Sequence, residues 1–360
     1  MERLPAEARD RRLLEVVLRL PNCLYLLGRF REIVDLLLGQ RHRLDRLQDP
    51  WLAGPYHFWL GYAHGLLGEQ DQAVDSVQRA LDEATRCGDE ATVGKAHFGL
   101  ARECFWSGRF RQGIEHGRQA VARLERTAEP SWLGLAHWAL GINYAFSGEI
   151  EQALEAERAA HAIGTAIADS RLQNFAWWSA GLIHTLSGDS EAAIEACRRS
   201  LEASTGPTST ALGLTHLGHA YLEHGDATRA VAVLEQAVEQ LGRLRMPQSL
   251  GRVTTWLGEA YLLAGNLEKA GELATRGLES TRERGHRYAT AEASRALGRI
   301  AQARGNLAEA ETHLLAALDT FTAIEARLEV GRTRLALAKL AHCQASPDAV
   351  SAHLTEAHQL

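Results

Sequence analysis

The feature that most constrains the fold is a glycine that recurs at nearly constant intervals along the 360-residue chain. Successive members lie 40 residues apart, except for one step of 37 residues between Gly188 and Gly225. Repeats of about 20–50 residues are typical of solenoids, propellers and arrays, in which one supersecondary unit stacks on the next. A further step of 40 residues reaches Ala345, where the pattern has decayed, as is expected of a terminal cap. The recurring glycines are Gly28, Gly68, Gly108, Gly148, Gly188, Gly225, Gly265 and Gly305.

The same arrangement of small residues surrounds each recurring glycine after Gly28. A glycine or alanine lies seven positions before it and usually an alanine five positions after it, as Gly61 and Ala73 do around Gly68. The central glycine permits the left-handed backbone that ends one helix and turns into the next, and the small residues let the two helices approach closely. Such a hairpin cannot bury its apolar faces alone, so neighbouring hairpins must cover them. The sequence therefore predicts an all-α solenoid of stacked helical hairpins.

This spacing resembles that of tetratricopeptide repeats over nearly the whole chain. The pattern is complete at Leu257, Gly258, Tyr261, Gly265 and Ala270. The resemblance implies a right-handed superhelix, with helices or loops longer than in the usual repeat of about 34 residues. Segments 256–279 and 296–318 also resemble the C-terminal repeat tails of bacterial adenylate/guanylate cyclases that carry a signalling ATPase domain, although neither catalytic domain occurs in this sequence.

Prolines and glycines between the apolar-periodic segments predict where each hairpin ends. We interpret the chain as a single solenoid over residues 1–360. The 37-residue step contains Gly206 and Pro207, and we interpret it as a local change of superhelical pitch because the pattern resumes at Gly218. The predicted hairpins span residues 7–48, 50–88, 90–128, 130–168, 170–205, 207–245, 247–285 and 286–324, with a degenerate cap over 326–360.

Charge and cysteine usage exclude several classes of partner and site. The formal charge is −6, and both signs are mixed along the chain without the basic stripe that nucleic acid requires. No apolar run is long enough to span a bilayer, and the charged N-terminus lacks the apolar core of a secretory signal. The five cysteines are scattered and never form C-x-x-C. These features predict a cytoplasmic protein with no nucleic-acid or membrane partner.

Catalytic and metal-binding motifs are also missing from the sequence. It contains no phosphate-binding loop, no G-x-S-x-G and no H-E-x-x-H. His216 and His219 lie three residues apart, and without a third ligand we interpret them as an exposed or partly satisfied pair on a solvated helix. We therefore predict that the protein is not an enzyme and uses no cofactor or metal.

The resemblance implies that the first helix of each hairpin lines the concave surface of the superhelix. Positions three before, one after, and four and five after the small residue fall on one helical stripe. Along this stripe the N-terminal four hairpins carry mainly aromatic and aliphatic side chains, whereas the C-terminal three carry mainly hydroxyls and charges. Because aromatic residues at helical spacing are also typical of a core, burial between hairpins is the alternative interpretation. The predicted partner-binding residues are Phe58, Tyr62, Phe98, Arg102, Trp106, Trp138, Phe146 and Trp178.

These observations predict a non-catalytic scaffold that binds a protein or peptide segment in the concave groove, with Arg102 meeting an acidic group of the partner. The resemblance to cyclase tails suggests a regulatory or sensor repeat domain of a bacterial signalling ATPase or cyclase system, with a cyclase/ATPase module as a possible partner. The alternative is a free-standing receptor for a signal peptide or a small apolar ligand.

Overall fold

The computed structural model describes residues 5–359, and every regular element within that range is an α-helix. The predicted all-α solenoid of tandem hairpins is confirmed. The helices are α1 (Ala6–Val17), α2 (Leu20–Leu26), α3 (Phe30–Leu38), α4 (Arg41–Leu47), α5 (Pro50–Leu67), α6 (Gln70–Cys87), α7 (Glu90–Ser107), α8 (Phe110–Leu124), α9 (Pro130–Ser147), α10 (Ile150–Ala166), α11 (Ser170–Ser187), α12 (Ser190–Glu202), α13 (Pro207–His224), α14 (Ala227–Arg243), α15 (Pro247–Leu263), α16 (Leu267–Glu283), α17 (Arg287–Ala303), α18 (Leu307–Ala323), α19 (Arg327–Cys343) and α20 (Pro347–His358).

These helices form nine successive repeats across the described residues, which we number hairpins 1 to 9. Helices α5 to α20 pair as hairpins 2 to 9, each made of two consecutive helices. Hairpin 1 differs because α1 and α2 replace its first helix, and α3 and α4 replace its second. Pro21 lies in the first turn of α2, where it cannot continue a preceding helix. No helix of the described part of the chain is long and apolar enough to cross a membrane.

The recurring glycines form the turns between the two helices of each hairpin. All eight have positive φ, from 70° at Gly28 to 92° at Gly148, which confirms the left-handed conformation predicted for them. Ala345 follows Gly305 by one further repeat and also has a positive φ, of 55°. The ninth hairpin therefore keeps the turn geometry although its sequence has lost the glycine.

The small residues before the turns allow the paired helices to pack closely. A Cβ atom on Gly61 would lie 2.6 Å from Cγ2 of Val77, and one on Gly181 would lie 2.3 Å from Sγ of Cys197. On the partner helix, Ala73 and Ala193 are completely buried. Each hairpin thus gains its core by close approach of two backbones, as the small-residue pattern predicts.

The superhelix closes on itself after five hairpins. Helices α5 and α15, α7 and α17, and α9 and α19 are in contact, and the members of each pair lie ten helices apart along the chain. The Trp106 ring stacks on His286 with ring centroids 5.2 Å apart, and Arg332 Nη2 donates to the carbonyl oxygen of Thr185 at 3.1 Å. Because consecutive turns touch, the concave surface expected to form an open groove is partly enclosed.

Candidate binding cavity inside the superhelix

A cavity of about 110 Å³ lies on the concave side of the superhelix, and we call it the central cavity. Its walls come from hairpins 1 to 7, so residues far apart in sequence face each other across it. Most of the lining is aromatic or aliphatic, and its two cationic side chains are Arg102 and Arg252. The lining residues are Tyr25, Tyr62, Leu66, Arg102, Phe105, Trp106, Trp138, Ile142, Phe175, Trp178, Leu182, Leu212, Thr215, His216, Met246, Gln248, Ser249, Arg252, Val253 and Trp256.

Five of the eight predicted partner-binding residues line this cavity, and they come from the four consecutive hairpins 2 to 5. Trp138 and Trp178 meet edge to face with ring centroids 5.7 Å apart, and their side chains are 8% and 6% exposed. Both interpretations of the concave aromatics therefore apply to these two, because they are buried and also form a cavity wall. The five residues are Tyr62, Arg102, Trp106, Trp138 and Trp178.

The other three predicted residues do not reach the cavity, which corrects their expected place on the groove surface. Phe58 and Phe98 are essentially unexposed, and each packs against Trp132, at 5.1 Å and 5.7 Å between ring centroids. Phe146 packs edge to face on Tyr288 of hairpin 8, with centroids 4.6 Å apart. These three phenylalanines are core residues that support the cavity wall from behind.

Arg102 is the one charged residue among the predicted contacts, and it is buried. Its side chain is 6% exposed, and its Nε and Nη2 atoms donate to Oε1 of Glu103 at 3.2 Å and 2.7 Å. The guanidinium group lies over the Tyr62 ring, 4.4 Å from the centroid. Gly65 leaves room for this arrangement, since a Cβ there would lie 1.9 Å from Arg102 Nη2. Among the described residues, Nη1 has no hydrogen-bond partner.

Arg102 keeps its charge in this buried position. Burial alone would lower the pKa of Arg102, but the adjacent Glu103 carboxylate and Tyr62 together raise that pKa above its ordinary value. A permanent cation therefore lies in the aromatic wall, where a ligand with negative charge would be favoured.

Two histidines of α13 were misread from sequence as lying on a solvated helix. The His216 ring stacks on Trp178, with centroids 4.4 Å apart and planes 6° from parallel. The His219 ring stacks in the same way on Trp256, with centroids 3.9 Å apart. Burial, followed by the nearby Arg252 charge, lowers the pKa of His216 to about 3 and lowers that of His219 well below its ordinary value. Both imidazoles are therefore neutral parts of the aromatic interior.

Sequence reasoning also missed the wall contributed by hairpin 7, including Gln248, Arg252 and Trp256. Trp256 lies one position away from the predicted stripe, and only closure of the superhelix brings α15 opposite α5. Trp177, the sequence neighbour of Trp178, is half-buried outside the cavity and packs on His161 with centroids 4.6 Å apart. Among residues 5–359, no three histidine, cysteine or acidic side chains converge to hold a metal ion.

A second and wider space of about 630 Å³ opens on the concave side of hairpins 6 to 9, and we call it the charged groove. Ion pairs line it or lie beside it, as the charges in the C-terminal part of the stripe predict. Arg299 Nη1 lies 2.7 Å from Oε1 of Glu259, and Glu329 is paired with both Arg295 and Arg332. Burial alone would raise the pKa of Glu329, but Arg295 and Arg332 hold it below its ordinary value. The groove is therefore held together by its own opposite charges.

Comparison with known proteins agrees with this architecture. Tetratricopeptide repeat family models match residues 140–206, 213–240 and 250–323, so these parts of the chain contain tetratricopeptide repeats. No curated protein matches its sequence.

Solved structures resemble the chain over almost its full length. A Rap protein complexed with Competence and Sporulation Factor superposes with a TM-score of 0.75 at 14% identity, and the match covers 97% of this chain and 98% of that one. The Rap conjugation gene regulator of plasmid pLS20, in complex with the Phr* peptide, gives 0.64 at 11% identity, with 87% and 96% covered. The apo quorum sensor NprR from B. thuringiensis gives 0.61 at 11% identity, with 96% and 97% covered. At these identities the likeness establishes the fold alone.

Proposed function

We propose that this protein is a non-catalytic binding protein whose ligand is a peptide segment held in the central cavity. The observation that carries the proposal is a closed concave interior lined by Tyr62, Trp106, Trp138, Trp178 and Trp256, with a buried cation beside them. Helical repeat proteins use their concave surfaces for binding, and Trp, Tyr and Arg dominate binding hot spots. The full-length likeness to a Rap regulator solved in complex with a peptide supports the same class of ligand.

The size of the cavity limits how a peptide binds. An apolar protein cavity of about 150 Å³ holds one benzene molecule, so the 110 Å³ found here accommodates roughly one apolar side chain. A peptide would then insert a single anchor residue, or the contacts between hairpins five apart would separate to admit more of it. In both cases the aromatic walls supply the buried contact area.

Selection of peptides from a random display library on the immobilised protein tests this proposal, followed by calorimetric titration of the selected peptides. Adjacent tryptophans provide matched variants, because Trp178 lines the cavity whereas Trp177 lies outside it. We expect Trp178→Ala to weaken binding by about 2 kcal/mol or more and Trp177→Ala to leave it unchanged. Failure to select any peptide, or equal losses in the two variants, would contradict a peptide site in the cavity.

Two biological settings fit such a site. The likeness of segments 256–279 and 296–318 to cyclase repeat tails supports a regulatory or sensor role in a signalling ATPase or cyclase system. The likeness to a Rap protein complexed with Competence and Sporulation Factor and to the quorum sensor NprR supports the alternative, a free-standing receptor for a signal peptide or small apolar ligand. A fused or neighbouring cyclase–ATPase gene would favour the first setting, and a neighbouring exporter with a short precursor peptide would favour the second. In either setting the purified protein should neither hydrolyse nor cyclise nucleotides.

A further inference from the structure

We propose that the ligand of the central cavity is an apolar carboxylate, meaning a carboxylate group carried next to a bulky apolar group. This inference rests on the proposed function, because it specifies the chemistry of the ligand for that same cavity. It follows from the hydrogen-bonding groups that the cavity leaves unused.

Several buried nitrogen atoms of the lining have no hydrogen-bond partner within residues 5–359. They are Arg102 Nη1, Trp138 Nε1, Trp178 Nε1, His216 Nδ1 and Gln248 Nε2. The indole, amide and guanidinium nitrogens can only donate hydrogen bonds. No aspartate or glutamate lines the cavity. Buried polar groups in native proteins are normally satisfied, so this surplus of donors calls for a ligand that brings acceptors.

The charge of the lining selects among acceptors. Arg102 and Arg252 are its only cations, and each is paired with one carboxylate that does not line the cavity, Glu103 and Glu292 respectively. Arg102 uses Nε and Nη2 for its pair, so the Nη1 edge of its guanidinium group is left for a further acceptor. A carboxylate is planar and matches such an edge, and hydrogen bonds between charged groups are stronger than neutral ones. A cationic ligand would find no carboxylate in the lining with which to pair.

The walls determine the rest of the ligand. Trp138, Trp178 and Trp256 line the cavity beside these donors, and its volume is about that of one aromatic ring or branched aliphatic side chain. The carboxylate therefore has to be attached close to an apolar group. The terminal residue of a peptide and a free aromatic or alkyl acid both have this chemistry.

Tryptophan fluorescence provides a direct readout, because four of the eight tryptophans line the cavity. The probes are 3-phenylpropanoate and its neutral amide, and an acetylated Ala-Ala-Ala-Phe peptide with a free or an amidated C-terminus. We expect each acid to bind about tenfold or more tightly than its amide. Tighter binding of the peptide acid than of 3-phenylpropanoate would identify a peptide terminus as the source, and the reverse order a free acid. This comparison uses the unaltered protein, so it does not depend on the folding of any variant.

The double variant Arg102→Gln with Glu103→Gln tests the assigned cation, because it removes both charges of the pair and leaves no buried carboxylate without a partner. We expect it to lose the preference for acids over amides while its melting curve shows that it is folded. The matched control is Arg299→Gln with Glu259→Gln, which removes an ion pair of the charged groove and should keep the preference.

Equal binding of acids and amides to the unaltered protein would overturn the inference, as would an unchanged preference in the folded Arg102/Glu103 double variant. If neither acid binds but peptides selected by display do, the carboxylate inference fails and the proposed function stands. If neither the probes nor any selected peptide binds, the proposed function fails as well.

Discussion

The two parts of the concave interior solve the problem of burying polar groups in opposite ways. In the charged groove, arginine and glutamate side chains from neighbouring hairpins neutralise each other, as Arg299 and Glu259 do. In the central cavity, aromatic rings pack on one another, and several buried donors are left without partners. The groove is much the larger space, at about 630 Å³ against about 110 Å³. The difference teaches that unused hydrogen-bonding capacity, more than volume, distinguishes a binding site from a self-satisfied surface.

The largest expected effect on stability comes from removing a buried carboxylate from the ion pairs beside the charged groove. Glu329 is 3% exposed and pairs with both Arg295 and Arg332, so Glu329→Ala would leave buried positive charge uncompensated. We expect the free energy of unfolding to fall by about 3–5 kcal/mol in urea denaturation. Glu223→Ala is the matched control, because Glu223 lies in the same groove but its side chain is 36% exposed, and it lies 3.9 Å from the neutral His219. A loss below about 1 kcal/mol for Glu329→Ala would contradict a pair network that stabilises the fold.

The aromatic part is tested by comparing Trp138, which lines the cavity, with Phe98, which lies behind it. Both substitutions to alanine delete a large buried ring, and we expect each to lower the free energy of unfolding by about 3 kcal/mol or more. Only Trp138→Ala should also weaken ligand binding, by about 2 kcal/mol or more. Melting temperature and affinity measured on both variants separate core from site. If Trp138→Ala destabilises the protein but leaves affinity intact in the folded fraction, its ring is core alone.

A smaller effect should appear with pH, because His216 is buried in its neutral form. Burial and Arg252 lower its folded pKa from 6.5 to about 3, so between these values the unfolded chain binds a proton that the folded protein excludes. This contribution is complete above pH 6.5 and is lost as the pH falls, by about 1.4 kcal/mol per unit for this group.

His216→Phe keeps a stacked ring but removes the titration, so its stability should fall less steeply on acidification than that of the unaltered protein. Urea denaturation at a series of pH values between about 6 and 4 measures the two slopes. His224→Phe is the control, because this histidine is exposed on the same helix. Identical slopes for His216→Phe and the unaltered protein would show that His216 is not the group responsible.

The smallest effect is expected for the pair formed by Arg299 and Glu259, whose arginine is 48% exposed. Removing both charges as Arg299→Gln with Glu259→Gln should change the free energy of unfolding by less than about 1 kcal/mol, because solvent screens the pair. Equilibrium denaturation of the double variant measures this. A loss as large as that of Glu329→Ala would show that the groove depends on every pair and not mainly on the buried ones.

The sequence predicted the features that are determined within one hairpin, and it did not predict those that depend on many hairpins together. The turn glycines, the small residues and the inward stripe arise within one hairpin, and their periodicity predicted the fold and the inward direction of Trp138 and Trp178. Closure of the superhelix is different, because it is the sum of small rotations over five hairpins. No single repeat contains that sum, so the placement of Trp256 opposite the N-terminal hairpins could not be predicted. The burial of His216 and His219 was missed for a different reason, because each of these rings is covered by a tryptophan of an adjacent hairpin.

The turn glycines divide into two groups once closure is considered. A Cβ atom on Gly68 would lie 3.4 Å from Gln248, and one on Gly108 would lie 3.1 Å from Ile324, so these turns rest against the next coil. Around Gly188 and Gly265 a Cβ would meet nothing within 4 Å. The turns at Gly68 and Gly108 can therefore move away from the next coil, but they cannot move closer to it without a steric clash. Separation of these contacts to admit a ligand too large for the cavity would lengthen the molecule along its axis, a change that small-angle X-ray scattering would register as an increased radius of gyration.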